Sequence, residues 1–288
     1  MGLREGLLVA PLFNGRILRS NKLTAGSIDP LYPSSSKSFV PVTIEMVSDR
    51  PVQVYYHPLC LFCRRVLYAL AFKGVAAELV LVDLANPSPR FLEVSNTRKI
   101  PAVVVWKGGK EFHLTESLRI MEYIDTEYHG PALYPRELNN SVDALKKARI
   151  DADIANYVDS VVGKLYPFLE QRATAKDISD LKALLSKLNT DFLVNGQHFA
   201  HSLMDSFDHI TIADIALLPL IEVLSAWRDS VFVEVLEQDL AGLWKWFECM
   251  RVQPWAARNY LGEQPARNYL QIRKGLHPKL TLPVSLYL

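Results

Sequence analysis

The apolar and polar positions change rhythm twice along the chain. Val52 to Tyr56 forms a short β-rich run, and from Leu61 to Lys73 the spacing turns helical, with apolar residues at Phe62, Val66, Leu67, Leu70 and Ala71. Gly74 closes that helix as a C-cap. Ala77 to Asp83 reads as a second strand, and a strand, helix and strand in one direction imply a parallel pair with a right-handed crossover. A loop through Pro87 and Pro89 leads to a short helix from Arg90 to Val94. Ile100 to Trp106 is a third strand entered through Pro101. The turn Lys107-Gly-Gly-Lys110 then joins it to an antiparallel fourth strand, Glu111 to Leu114. The next helix carries Leu118, Met121 and Ile124 on one face, with Thr115 as its expected N-cap. His129 to Pro135 breaks the periodicity and marks a domain boundary. Beyond Ser141 the pattern is helical, over 141–171, 177–194, 212–228 and 236–251, with no strand pattern of comparable strength.

The order β-α-β-α-β-β-α is a thioredoxin-like pattern. The expected fold class is an α/β thioredoxin-like N-terminal domain followed by an all-α C-terminal domain. It divides into an arm over 1–50, the first domain over 51–130, the helical domain over 136–262 and a tail over 263–288. The helix from Ile212 opens with the capping box Thr211-Ile-Ala-Asp214, with Ile210 and Ile215 at the staple positions. Asp214 is therefore expected to be buried, bonded and important for folding, not a catalytic acid.

Composition narrows the function. The 288 residues suffice for two ordinary domains, and 49% apolar against 22% charged residues fits a well-filled globular core. Lys and Arg number 32 against 31 Asp and Glu, which gives no support for a nucleic-acid partner. Three cysteines cannot make a disulfide framework, and the odd number suits a reducing, cytoplasmic compartment. No run has the ~18 apolar residues that a spanning helix needs, so no stable membrane insertion is expected. Met1 to Asn21 holds Arg4, Arg16 and Arg19 with Glu5 as its one acid, so residues 1–45 read either as an organelle-targeting signal or as an irregular arm.

Two of the three cysteines, Cys60 and Cys63, sit where the first strand's turn becomes the first helix. The partial positive charge of a helix N-terminus favours thiolate over thiol, and Arg64 and Arg65 add to the local field. Thiolate is the nucleophile of disulfide exchange, and a cysteine three residues on can resolve a mixed disulfide. A zinc site is the second reading, but it needs about four ligands, usually two such pairs or two histidines at set spacing; His57 is near, yet the only other cysteine, Cys249, is distant and no second pair exists. Two buried bystander thiols are the third. The strand-to-helix corner favours the redox reading, with Cys60 as the attacking sulfur and no metal.

Two further motifs gather at that corner. Ile100-Pro101 opens the third strand, and with a cis bond there the Ile100 N–H and C=O face Cys60, ready to pair with the cysteine of a bound peptide. Glu116-Ser117 is ordinarily only a helix start. Read functionally, the Ser117 hydroxyl and N–H bind a carboxylate at the positive helix end and Glu116 binds the neighbouring ammonium. The γ-glutamyl end of glutathione offers that pair of groups.

Taken together, His-Pro-Leu-Cys60-x-Phe-Cys63-x-Arg65, Lys99-Ile-Pro101, Thr115-Glu116-Ser117 and Thr211-x-x-Asp214 resemble the cytosolic glutathione transferase superfamily over about Val52 to Arg258. The nearest likeness is to omega-type and glutaredoxin-like members, which use cysteine in place of tyrosine or serine. The resemblance implies a two-domain fold, glutathione as co-substrate and commonly a homodimer. It also implies a glutathione site built from Phe62, Lys99, Ile100, Pro101, Glu116 and Ser117 around Cys60. The chain departs from the pattern in three places. Leu61 replaces the proline after the active cysteine. Cys63 restores a pair that many omega members lack. The glutathione-contacting lysine of omega members falls at Pro87, so that contact is missing or replaced by Arg98 or Lys99.

The expected activity is a glutathione-dependent thiol transferase or reductase, with deglutathionylation and dehydroascorbate reduction as fitting reactions. Cys60 attacks, and Cys63 or a second glutathione releases the adduct. The second substrate, a small oxidised or electrophilic molecule or a glutathionylated thiol, is expected in the cleft between domains beside Phe62 and Tyr157. The rival reading is a weakly catalytic or non-catalytic binding protein, membrane-associating like the chloride intracellular channel proteins. The ordinary first helix and near-neutral charge speak against it.

Overall fold

The computed structural model describes residues 51–136, 140–169, 173–193, 210–226 and 240–260. The expected arm over 1–50 and tail over 263–288 lie outside these residues, as do the ends expected near 194, 228 and 236. The first half is a four-stranded sheet of β1 (Val52–Tyr56), β2 (Ala77–Leu81), β3 (Ala102–Lys107) and β4 (Lys110–Thr115), in the spatial order β2-β1-β3-β4. β1 and β2 are parallel, while β3 runs antiparallel to both β1 and β4. Helices α1 (Leu61–Lys73), α2 (Pro89–Val94) and α3 (Ser117–Glu127) complete the thioredoxin-like half.

The strand period of two sorts the side chains. Val52, Val54, Val103 and Val105 join the large core with α1 and α3. Tyr55, Ala102 and Val104 face the other way and form a small second core with Phe91 and Val94 of α2. Gly74 ends α1 in the left-handed region at φ 69°, where its N–H returns to the carbonyls of Leu70 and Ala71. One expectation fails here. Thr115 is not the N-cap of α3: it stays in the ladder opposite Ala102, and Glu116 takes the cap position without a side-chain cap bond. The sixth rung of the β3–β4 hairpin holds Thr115 extended, so the chain turns one residue later than the polar pattern implies.

The second half is helical: α4 (Asn140–Asp153), α5 (Asp159–Leu169), α6 (Ala175–Leu188), α7 (Ile212–Ala226), α8 (Ala241–Arg251) and α9 (Pro254–Ala257). The single helix expected over 141–171 is α4 and α5 joined by a π-helical turn, Ile154–Val158, and a second π turn, Asn189–Leu193, extends α6. Each π turn adds a residue to the repeat and rotates the residues beyond it about the axis. Every residue of α7 is buried, so this helix is the axis around which the two halves pack. Asp214 anchors its start. Its Oδ2 accepts the Thr211 N–H at 2.8 Å and the Thr211 hydroxyl at 2.9 Å, and its Oδ1 accepts the Trp246 indole N–H of α8 at 2.9 Å. No helix among the described residues is long and apolar enough to cross a membrane.

Candidate active site

The strand pairing brings three chain segments to one end of the sheet. Tyr55 at the end of β1 pairs with Ala102 at the start of β3, and Ala102 pairs with Thr115 at the end of β4. The chain leaves β1 into the Cys60 corner, enters β3 through Ile100-Pro101, and leaves β4 into Glu116-Ser117. These stretches are neighbours because the hydrogen-bond register makes them so.

Cys60 is the N-cap of α1. Its half-buried sulfur accepts the Cys63 N–H at 3.4 Å and faces the Ile100 carbonyl at 3.8 Å. Cap geometry aims the sulfur at the positive end of the helix, and an N–H donated to sulfur favours the thiolate. Cys63, one turn inside, is fully buried, and burial pushes its thiol well above the ordinary range. The two cysteines thus occupy different environments. His57, whose Nδ1 accepts the Leu59 N–H at 3.2 Å, is pulled below its ordinary value by burial.

The Ile100–Pro101 bond is cis, with Ile100 half-buried and Pro101 buried. Lys99 is exposed, and its carbonyl accepts from the buried Ser95 hydroxyl at 2.9 Å. Glu116 is exposed with φ 66° and ψ 111°, in a region that non-glycine residues rarely adopt. Ser117 beside it is buried at the first position of α3. The Glu116 conformation costs about 1–3 kcal/mol and persists only where the surrounding structure holds it.

Phe62 is half-buried on α1, with the Arg65 guanidinium 5.1 Å from its ring centre. Tyr157 is turned elsewhere: its hydroxyl donates to Asp191 at 3.2 Å and accepts from Lys187 at 2.8 Å, both beyond α5. Arg65 meets α5 at Asp159, 3.9 Å away, and Asp159 and Tyr166, two turns apart, both act on it electrostatically. Sequence reasoning passes over Asp159 and Tyr166 because the π turn resets the helical phase ahead of them. Their seven-residue spacing inside α5 is the available signal.

The two arginines after Cys63 differ. Arg64 is buried, with its Nε 3.0 Å and Nη2 2.6 Å from Glu222 of α7, and it also donates to the Tyr68 hydroxyl and, at 2.7 Å, to the Asn259 carbonyl. Tyr68 in turn donates to Glu222. Arg65 is also buried, yet its Nε donates only to the Ala216 carbonyl at 3.0 Å, and burial pulls its guanidinium down to about 10. At about 1.4 kcal/mol per pKa unit, that cation costs the fold on the order of 3 kcal/mol.

A thioredoxin-like sheet with a cysteine cap at its corner, a cis-proline strand and a helix N-terminus beside it, packed on an all-helical half, defines a glutathione transferase-type architecture. Residues 59–127 match the family model described as the glutathione S-transferase, N-terminal domain. Glutathione S-transferase L3 of Arabidopsis thaliana is 26% identical over 220 residues, covering 72% of this chain and 84% of the relative. Mouse glutathione S-transferase omega-1 is 25% identical over 231 residues, covering 78% of this chain and 87% of the relative. Among solved structures, rice GST1 in complex with glutathione superposes with a TM-score of 0.62 at 21% identity, over 79% of this chain and 98% of that one. The first domain thus matches the glutathione S-transferase N-terminal family model, and the chain is similar over most of its length to glutathione S-transferases of the lambda and omega classes.

Proposed function

We propose that this chain is a glutathione-dependent thiol transferase or reductase that works through Cys60 alone. The supporting observation is the setting of the Cys60 sulfur, which caps α1, accepts the Cys63 N–H and lies 3.8 Å from the Ile100 carbonyl. In this reading the Cys60 thiolate attacks the glutathione sulfur of a mixed disulfide. A Cys60–glutathione disulfide forms and the substrate leaves as thiolate. A second glutathione thiolate then attacks that disulfide, releasing oxidised glutathione and restoring the Cys60 thiolate, so electrons and charge balance.

Cys63 does not resolve the adduct in this scheme. A buried thiol held well above its ordinary range supplies little thiolate at neutral pH, and resolution would require it to reach the surface. Its role is to present its backbone N–H to Cys60. The Ile100 backbone pairs with the cysteinyl part of glutathione, the α3 N-terminus at Ser117 receives the γ-glutamyl carboxylate, and Glu116 receives the ammonium. Lys99 lies on the same rim, exposed and available to the glycyl carboxylate. The second substrate, a small oxidised molecule or a glutathionylated thiol, sits against Phe62 with Tyr166 opposite. Tyr166 replaces Tyr157 in that role because the Tyr157 hydroxyl is engaged with Lys187 and Asp191.

The reading carries a domain division near 130–136, a homodimer and a cytoplasmic working compartment with targeting by residues 1–45 as the alternative. Light scattering and localisation of a tagged full chain test the last two. The decisive chemical test is intact-mass analysis after exposure to oxidised glutathione, followed by peptide mapping, since Cys249 is also exposed. One glutathione on Cys60 is expected. Absence of that adduct, or equal turnover of Cys60→Ala and wild type in an assay coupled to glutathione reductase, overturns the proposal.

A further inference from the structure

Cys60 is pulled in two directions. The Cys63 N–H and the helix end favour its thiolate, whereas the Ile100 carbonyl at 3.8 Å accepts from the thiol and opposes a full negative charge. The nearby charges decide between them. Arg64 offers little, because its charge is met inside the protein by Glu222 at 2.6 Å. His57 is half-buried, and that burial favours its neutral form. Cys63 stays a neutral thiol. Arg65 alone among these carries a charge that is only loosely met. Its Nη2 is buried with no hydrogen-bond partner among the described residues, and the nearest carboxylate, the half-exposed Asp159, stands 3.9 Å away. The groups that act on Arg65 are Asp159 and Tyr166 from α5 and Cys60 from its own corner, and Phe62 covers its flat face.

We propose that Arg65 is the positioning residue that holds Cys60 as a thiolate, and that Asp159 of α5 sets how much of the Arg65 charge Cys60 receives. The buried cation acts electrostatically on both Asp159, 3.9 Å away, and Cys60, so the two compete for it. Whatever weakens the Arg65–Asp159 attraction strengthens the hold on the Cys60 sulfur, and whatever tightens it returns Cys60 toward the thiol. The nucleophile's charge state is thereby governed from the helical half, across the face where the second substrate is expected. A substrate or product group that engages Asp159 activates Cys60 in the same step. The proposal rests on Cys60 being the reacting sulfur but not on glutathione being its partner.

The test is the pH dependence of Cys60 alkylation by iodoacetamide in the full chain, read by peptide mass spectrometry so that Cys249 does not contribute. Asp159→Asn keeps the shape of a half-exposed side chain and is expected to fold. It should move the alkylation midpoint down by several tenths of a pH unit to one unit. Arg65→Gln should move it up by about one unit or more, slowing alkylation about tenfold at pH values below the wild-type midpoint, and Arg65→Lys should fall between. An opposite charge at this range typically shifts a group by about 1–3 units. A midpoint for Asp159→Asn that is unchanged or raised overturns the proposal even if Arg65→Gln fails to fold. So does a folded Arg65→Gln protein with the wild-type midpoint. Because no glutathione is present, loss of the glutathione adduct with these shifts intact would remove the proposed activity and leave this inference standing.

Discussion

The Arg64 guanidinium lies 2.6 Å from the Glu222 carboxylate, both buried, joining the helix that carries Cys60 to the central helix of the other half. Arg64 also holds the Asn259 carbonyl at 2.7 Å, so three separate stretches of chain meet on one side chain. Burial pushes Glu222 above its ordinary value even with this partner. The pair is thus finely balanced and strongly dependent on both members. Replacing Glu222 by Ala leaves a buried guanidinium without its counter-charge and is expected to cost about 3–5 kcal/mol. Denaturant unfolding of Glu222→Ala measures that loss, and a difference below about 1 kcal/mol would show that the network is dispensable.

Cys63 gives a signed pH dependence. Its thiol is raised well above 9.0, chiefly by burial, so the folded state disfavours the thiolate more than the unfolded chain does. The stability tied to this group is fully present below the unfolded thiol's value. It is lost as pH rises through the folded value. The melting temperature should fall above about pH 9, and Cys63→Ala should flatten that fall. In the monothiol scheme the same variant keeps turnover within about threefold, since the backbone N–H to Cys60 survives the substitution. A rate loss of a hundredfold would instead make Cys63 a participant.

Glu116 separates folding from binding. Its φ of 66° suits glycine better than glutamate, so Glu116→Gly relieves strain while loosening the unfolded chain. The two effects oppose each other, and the melting temperature should stay close to or above that of wild type. The KM for glutathione should meanwhile rise about tenfold, the scale of one charged hydrogen bond lost. A fall in stability with KM unchanged would assign Glu116 to the fold alone.

Asp214 is buried and fixes Thr211 and Trp246 through both carboxylate oxygens. Asp214→Ala removes a cap worth about 0.5–2 kcal/mol and leaves the Trp246 N–H without this acceptor, for a further ~1–3 kcal/mol. Thermal unfolding followed by tryptophan fluorescence reads both. Cys60 alkylation of the protein that remains folded should match wild type.

Much of this is legible in the chain because it is local. The strand, Cys60 cap, α1 and Gly74 succeed one another within a single stretch, and each is written in the residues that form it. Thr211 and Asp214 are three apart and announce their own contact. The features that escape depend on partners far along the chain. Thr115 has the chemistry of a cap, but Ala102 holds it in the sheet. Arg64 and Arg65 look alike in sequence, and only their distant partners separate them: Glu222 at 2.6 Å makes one a neutralised tie, while the half-exposed Asp159 at 3.9 Å leaves the other loosely met. The placing of Tyr157 depends on helical phase, which the π turn at Ile154–Val158 interrupts.

The β3–β4 ladder, running from Lys107 and Lys110 to Ala102 and Thr115, also acts as a ruler. Gly108 and Gly109 sit at its closed end, and Glu116 and Ser117 leave from its open end. Residues alternate faces and advance about 3.4 Å each along such a strand. One residue added within β4, with β3 and the turn pairing Lys107–Lys110 held in place, would carry a different residue to the open end and turn Ser117's neighbours to the other face. In the proposed site the length of β4 therefore fixes which residues leave the sheet beside Ser117, and a change in that length is expected to act on binding as well as on the fold.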